Sequence, residues 1–285
     1  MKLSEISIVD APKHILIYGP PKTGKTFQSV KLADHGYNIK LIDLENGFKV
    51  AKQLSQEAQE RIDIISLPDT KENPCAMQAL SNLFARGEFS PCIKHGLHKC
   101  QNCIAQQLPA NHLKLSDLGP KDVVVLDSMT QWGNSILSHI GKNKGEDWVP
   151  EWEDWRKLGA VLDMGLSSIQ NSPYNWIVIT HEIMAKQQNK EEKIVPIAGT
   201  RNFSRNSAKY FDTVIYCEVV NGKHQFASRT TYKNNILTGD RLGVELENAG
   251  DKGLLAIFEG DRSGNKQGGK AGGSTASGLD SILKK

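Results

Sequence analysis

Residues 14–26 read HILIYGPPKTGKT, in which the apolar run Ile15 to Tyr18 leads into Gly19-Pro20-Pro21-Lys22-Thr23-Gly24-Lys25-Thr26. That octapeptide fits the pattern G-x-x-x-x-G-K-[ST]. The apolar run predicts a short buried strand. Phe27, Val30, Leu32 and Ala33 follow at helical spacing up to Gly36, and predict a helix. A strand, a glycine-containing turn and a helix in this order gather backbone N–H groups and a helix N-terminus around one point, where a polyphosphate binds. Lys25 is expected to meet the β- and γ-phosphates and the Thr26 hydroxyl to ligate Mg²⁺.

Working outward, Ile39 to Leu44 reads as a second buried strand, so the first forty-odd residues make a strand–helix–strand unit and imply a mainly parallel sheet. VVVLDS (123–128) and NWIVIT (175–180) are continuous β-branched runs suited to strands covered on both faces. Between them Trp152, Trp155, Leu158, Leu162, Leu166 and Ile169 recur at steps of three and four, an amphipathic helix whose tryptophans are expected to join the core. DTVIYCEVV and HQFASRTTYK are joined by Asn221-Gly222-Lys223 and predict an antiparallel hairpin at the sheet edge. The fold class expected is α/β. Asp127, ending VVVLDS, is the candidate second carboxylate for Mg²⁺. Glu45, just past the second strand, is the candidate to activate the attacking water, with Asp43 as the alternative.

The chain has 285 residues and 31.5 kDa, with Lys+Arg 35 against Asp+Glu 32, a formal charge of +3. That balance excludes a polybasic protein, so any nucleic-acid contact must come from local clusters. No apolar run approaches about 18 residues and the N-terminus lacks a signal-peptide core, so a cytoplasmic protein without a membrane segment is expected. Residues 87–121 interrupt the strand–helix pattern and read as an insert. Within it PCIKHGLHKCQNC gives C-x₂-H-G-x₃-C-x₂-C, two close-spaced pairs that suit tetrahedral Zn²⁺ held by Cys92, His95, Cys100 and Cys103 in a structural site. His98 is an alternative ligand. Cys75 and Cys217 read as core thiols. Residues 263–278 are Gly/Ser-rich and predict a flexible linker ending in the tip LDSILKK, leaving 1–262 as one core domain.

GPPKTGKT, LIDLENG, VVVLDS and IVITHE, in that order, resemble the RecA-type P-loop ATPase core, and specifically the short phage-encoded RecA-like ATPases of single-strand annealing and recombination. The resemblance covers about residues 10 to 240. It implies ATP with Mg²⁺ as cofactor, Glu45 as catalytic glutamate, and His181 as the residue that senses the γ-phosphate. It also implies single-stranded DNA as partner, a homo-oligomeric ring or filament, and DNA-stimulated ATP hydrolysis in the cytoplasm of a host cell. The long polar stretch after IVITHEIMAK corresponds to the one that contains the second DNA-binding loop, and from Lys186 to Lys209 the chain holds six basic and two acidic residues. Arg201, Asn202, Phe203, Arg205 and Lys209 are the expected DNA contacts, cations for phosphate around an aromatic face. A first DNA loop would fall between Gly141 and Trp155, where Trp148 could stack on a base. Arg229 and Lys233 are candidates to reach a neighbouring subunit's ATP site, and the tip LDSILKK to dock on a neighbouring subunit or a single-strand-binding protein. A helicase-like motor and an ATP-gated loader of slow turnover are the alternatives.

Overall fold

Strand β1 (His14–Tyr18) is buried along its whole length because both of its faces are covered. A computed structural model describes residues 11–145, 147–186, 192–229, 235–244, 246 and 252–260. After β1 come α1 (Lys25–Val30), which tightens to a 3₁₀ turn and stops at Gly36 (φ 82°), and β2 (Asn38–Asp43). The short α2 (Gln56–Gln59), capped by Ser55, leads to β3 (Ile62–Ser66) and the longer α3 (Cys75–Arg86). The insert then leaves and returns through a two-stranded neck, β4 (Glu88–Phe89) paired with β5 (Leu113–Lys114), with α4 (Gln101–Ala105) between them. Next come β6 (Asp122–Asp127), α5 (Met129–Gly141) capped by Ser128, α6 (Trp152–Gln170) and β7 (Asn175–Thr180). The chain continues through β8 (Glu182–Lys186), β9 (Glu192–Pro196), α7 (Arg201–Asn206), β10 (Thr213–Val220), β11 (Lys223–Ala227), β12 (Gly239–Asp240) and α8 (Leu255–Glu259).

The central sheet has the order β11-β10-β1-β7-β6-β2-β3, with β12 also on β10. The strands from β10 to β3 are parallel, and β11 and β12 run antiparallel at the edge. Alternation divides the core in two. Leu16, Tyr18, Val124, Leu126, Trp176 and Val178 face α3, α5 and α6, while Ile15, Ile17, Leu41, Val125, Ile177 and Ile215 face the other layer with Val30 and α8. This is the expected mainly parallel α/β core. The order has one consequence for the site: β7 lies between β1 and β6, so the carboxyl ends of β1, β7, β6 and β2 stand side by side.

Two expectations change. Within the stretch after Lys186 read as polar, Glu192–Pro196 form β9 and pair antiparallel with β8, and 201–206 are helical. Trp152 is 83 % exposed, because it starts α6 beyond the edge of the core, while Trp155 is half-buried and packs against it. Lys233 and residues 263–285 lie outside the described residues. Cys75 and Cys217 are buried in the core as expected, and burial pushes the Cys75 thiol up to about 12. Among the described residues no helix is long and apolar enough to cross a membrane.

Candidate functional site

The loop after β1 is shaped by its backbone. Gly19 has φ 145°, and a Cβ there would sit 2.1 Å from the Cys217 carbonyl oxygen, so the turn must pass against β10 without a side chain. Lys22 and Gly24 also have positive φ, and the Thr23 hydroxyl donates to the Pro20 carbonyl at 2.9 Å. Lys25 is buried, and its ammonium donates to the carbonyls of Gly19 (3.0 Å) and Pro20 (2.6 Å). It forms no ion pair among the described residues, and burial lowers its pKa. A buried cation that has carbonyls but no counter-anion fits a polyphosphate.

Beside it Thr26 Oγ1 donates to Asp127 Oδ2 at 2.6 Å. Burial raises Asp127 to about 6, with the Thr26 hydrogen bond opposing and Glu45 and Asp43 adding. A hydroxyl and a buried carboxylate in contact, in a place that resists negative charge until a cation arrives, suit Mg²⁺. Gly47 keeps this spot open, since a Cβ on it would meet Asp127 Oδ2 at 2.8 Å.

The two acids after β2 separate by their partners. Asp43 is buried and accepts from the backbone N–H groups of Glu45 (3.1 Å), Gly47 (3.0 Å) and Phe48 (3.0 Å), so its carboxylate is occupied in shaping the turn. Glu45 reaches into the cleft. Its Oε1 accepts from Ser128 Oγ and its Oε2 lies 3.3 Å from His181 Nε2. The His181 hydrogen bond, opposed by burial and helped by Ser128, lowers its pKa. A carboxylate only accepts, so Nε2 carries the proton of this bond. His181 Nδ1 is buried with no partner among the described residues. The His181 main chain is fixed by N–H donation to Thr130 Oγ1 (3.1 Å) and by accepting from Ile197 N (2.8 Å).

Lys25, Thr26, Glu45, Asp127 and His181 line one cavity of about 760 Å³ together with Pro21, Phe27, Gln53 and His224. Sequence reading missed His224 and Ser128. His224 on β11 lies 3.0 Å from the Thr23 carbonyl, although 201 residues separate them, and no local pattern signals that contact.

In the insert the structure brings Cys92, His95, Cys100 and Cys103 together, with their ligand atoms all within 4.8 Å of one another. His95 Nδ1 is 3.8, 3.5 and 3.3 Å from the sulfurs of Cys92, Cys100 and Cys103. Tetrahedral zinc with Zn–S of about 2.3 Å and Zn–N of about 2.0 Å needs such separations. Burial alone would raise the Cys92 thiol, yet hydrogen bonds from the Leu97 and His95 N–H groups bring it to about 7. Burial and the neighbouring sulfurs push Cys103 up to about 12, a like-charge conflict that a divalent cation would relieve. The donor set fits Zn²⁺. His98 is turned away, with its Nδ1 accepting from Ser90 N at 3.1 Å.

A second surface joins α6 to α7. Trp152, Trp155, Asn202, Phe203, Lys209 and Tyr210 line a groove of about 480 Å³. Phe203 is half-buried and stacked on Tyr210 (centroids 6.2 Å apart), so the fully presented aromatic face is that of Trp152. Arg201 and Lys209 are exposed, Lys209 lying 3.8 Å from Asp163, and Arg205 donates to Asn202 at 3.2 Å. Trp148 packs over Gly141 and under Lys144, whose ammonium is 5.2 Å from its ring. Arg229 is exposed beyond β11.

No curated protein matches this sequence. A family model described as an AAA domain (AAA_24) matches residues 11–242, which hold the loop of Gly19–Thr26, both acids of the cleft and the insert. The chain therefore belongs to this AAA-domain family of P-loop ATPases.

Proposed function

We propose that this chain is a phage-type RecA-like ATPase that binds single-stranded DNA and promotes annealing or strand exchange, with ATP–Mg²⁺ controlling DNA binding and assembly into a homo-oligomer. Gly19 to Thr26 hold the phosphates, with Lys25 at the β- and γ-phosphates. Thr26 and Asp127 hold Mg²⁺, which when bound supplies charge neutralisation between the phosphates. Glu45 orients the water and His181 reads the γ-phosphate. Zn²⁺ in the knuckle is structural.

The observation that carries the reading is the tie between His181 and the groove. Ile197 N donates to the His181 carbonyl, and Thr180 Oγ1 donates to the Ile197 carbonyl at 2.7 Å. Ile197 leads within three residues to Thr200, the cap of α7, and so to Arg201, Asn202, Phe203, Arg205 and Lys209. A shift of His181 toward a γ-phosphate would therefore pull on the segment that presents cations and aromatic faces, which is the combination a single strand takes. Arg229, with Lys233, would act on the neighbouring subunit's nucleotide, and the C-terminal tip would dock a neighbour or a single-strand-binding protein.

The test is ATP hydrolysis with and without single-stranded DNA, run beside a strand-pairing assay. DNA-stimulated hydrolysis with ATP-dependent pairing is expected. Stimulation without pairing identifies a motor, and binding without turnover a loader.

A further inference from the structure

The Cys/His knuckle has only a structural role in this reading, yet its hydrogen bonds lead back toward Glu45. On its inner side the His95 carbonyl accepts from Asn73 Nδ2 at 2.9 Å. A Cβ on Gly96 would lie 2.6 Å from Cys75 Sγ, so the knuckle backbone rests directly on the first residue of α3. Asn73 is locked to Thr70, its N–H donating to Thr70 Oγ1 (3.0 Å) and its carbonyl accepting from Thr70 N (3.1 Å).

Asp69 is the junction. Its Oδ1 accepts from Ala76 N at 2.8 Å and Ser135 Oγ at 2.7 Å, and its Oδ2 from Gln131 Nε2 at 3.1 Å, so one carboxylate ties the first turn of α3 to α5. Gln131 N donates to Ser128 Oγ at 3.2 Å, and that hydroxyl donates to Glu45 Oε1. With one bond accepted and one donated, the Ser128 rotor is fixed for as long as the first turn of α5 stays in place.

We propose that Asp69 is a positioning residue for ATP hydrolysis. It holds the first turn of α5 so that Ser128 meets Glu45, and the knuckle, through His95 and Asn73, clamps the segment that carries it. This rests on the reading of Glu45 as the residue that orients water. Loosening the junction leaves Glu45 to His181 alone, and misplacing a reacting group by about 1 Å costs on the order of 10²-fold in rate. Nucleotide affinity, set on the other side of the cleft by Lys25 and the loop amides, is untouched.

The experiment uses the full chain and compares Asp69→Ala, Ser128→Ala and the double variant by kcat, with the Kd of a fluorescent ATP analogue as the second readout. Asp69→Ala is expected to lower kcat about tenfold at unchanged Kd, and to change it less than twofold in the Ser128→Ala background. Asn73→Ala, and Cys103→Ser checked for lost metal content, are expected to follow the same pattern. Asp69→Asn serves if the alanine variant does not fold: it keeps the two bonds accepted by Oδ1, sets its amide N–H group against the Gln131 donor so that the bond to the first turn of α5 is lost, and is expected to lower kcat severalfold at unchanged Kd. An equal loss in both backgrounds, or a loss of nucleotide affinity in place of kcat, overturns the proposal. Glu45→Gln inactive beside a fully active Asp69→Ala overturns the positioning role alone. A fully active Glu45→Gln overturns the Glu45 reading, and this one with it.

Discussion

His181 Nε2 and Glu45 Oε2 stand 3.3 Å apart across the end of β6, where Ser128 binds the other oxygen of the same carboxylate. Three neighbouring strand ends thus deliver one acid and two hydrogen-bond donors to it. A carboxylate held at both oxygens is oriented and kept ionised, as its lowered pKa records. Glu45→Gln, which preserves the shape and removes the charge, is expected to lower ATP turnover by about 10²-fold or more while leaving nucleotide affinity in place. A coupled phosphate-release assay beside analogue binding measures both. Hydrogen bonds from His181 and Ser128 hold its carboxyl below the ordinary glutamate range, so Glu45 is not the group expected to set an acid limit on activity.

Asp127 is the group expected to set it, because holding Mg²⁺ requires its carboxylate. Its carboxyl is raised by burial to about 6 from 3.8. A raised acid binds its proton more tightly in the folded chain, so its contribution to stability is full below pH 3.8 and lost as pH rises through about 6. For about two pKa units that is on the order of 3 kcal/mol. The metal-free protein is expected to melt lower at pH 7 than Asp127→Asn, with the gap closing toward pH 4. The same substitution is expected to abolish Mg²⁺-dependent hydrolysis. Thermal melts of both proteins across this range, with and without Mg²⁺ and nucleotide, check the sign.

Gly19 tests the loop's geometry. Any side chain there meets the Cys217 carbonyl oxygen at 2.1 Å with φ at 145°, and backbone cannot yield as a flexible side chain can. Gly19→Ala is expected to cost more than about 4 kcal/mol, placing it among the most damaging single substitutions. A denaturant titration reads it directly, and a loss under about 1 kcal/mol would contradict the packing described.

Purified protein is expected to carry on the order of one zinc per chain, and loss of it to lower the melting temperature. Elemental analysis and a melt after chelation measure this. Cys92→Ser is expected to lose the metal, while Cys217→Ser, far from the knuckle in the other half of the core, is expected to keep it.

What was legible in the sequence is what has a local pattern. The Gly19–Thr26 loop, the runs ending at Asp127 and Thr180, the hairpin turning at Asn221-Gly222, and the Cys92–Cys103 ligand spacing each announce themselves within about a dozen residues. The pairing of Glu45 with Ser128 does not, because 83 residues separate them and strand order alone makes them neighbours. The choice between Asp43 and Glu45 likewise needed the three amides that occupy Asp43. Helix α5 was hidden for a related reason. It buries Ser135 against Asp69, a polar residue on the inward face that blurs the apolar stripe. Trp152 misled in the other direction: it continues the spacing of the buried stripe of α6, but one turn past the point where there is a core to bury it.

That misplaced tryptophan gives the cleanest test of the groove as the proposed DNA surface. Trp152 is 83 % exposed and lines the groove with Phe203 and Lys209, so its removal disturbs little packing. Trp152→Ala is expected to change stability by no more than about 0.5 kcal/mol. If a base stacks on it, the variant should lose about tenfold or more in affinity for single-stranded DNA, since stacking contributes about 1–3 kcal/mol per base. Arg201→Ala and Lys209→Ala should instead weaken binding and flatten its salt dependence, because phosphate contacts act through counterion release. Fluorescence anisotropy with a labelled oligonucleotide at several salt concentrations separates the two effects. Intrinsic tryptophan quenching on DNA addition, lost in Trp152→Ala, would place the base on this ring. Wild-type affinity in Trp152→Ala, Arg201→Ala and Lys209→Ala alike would remove the groove from the DNA path altogether.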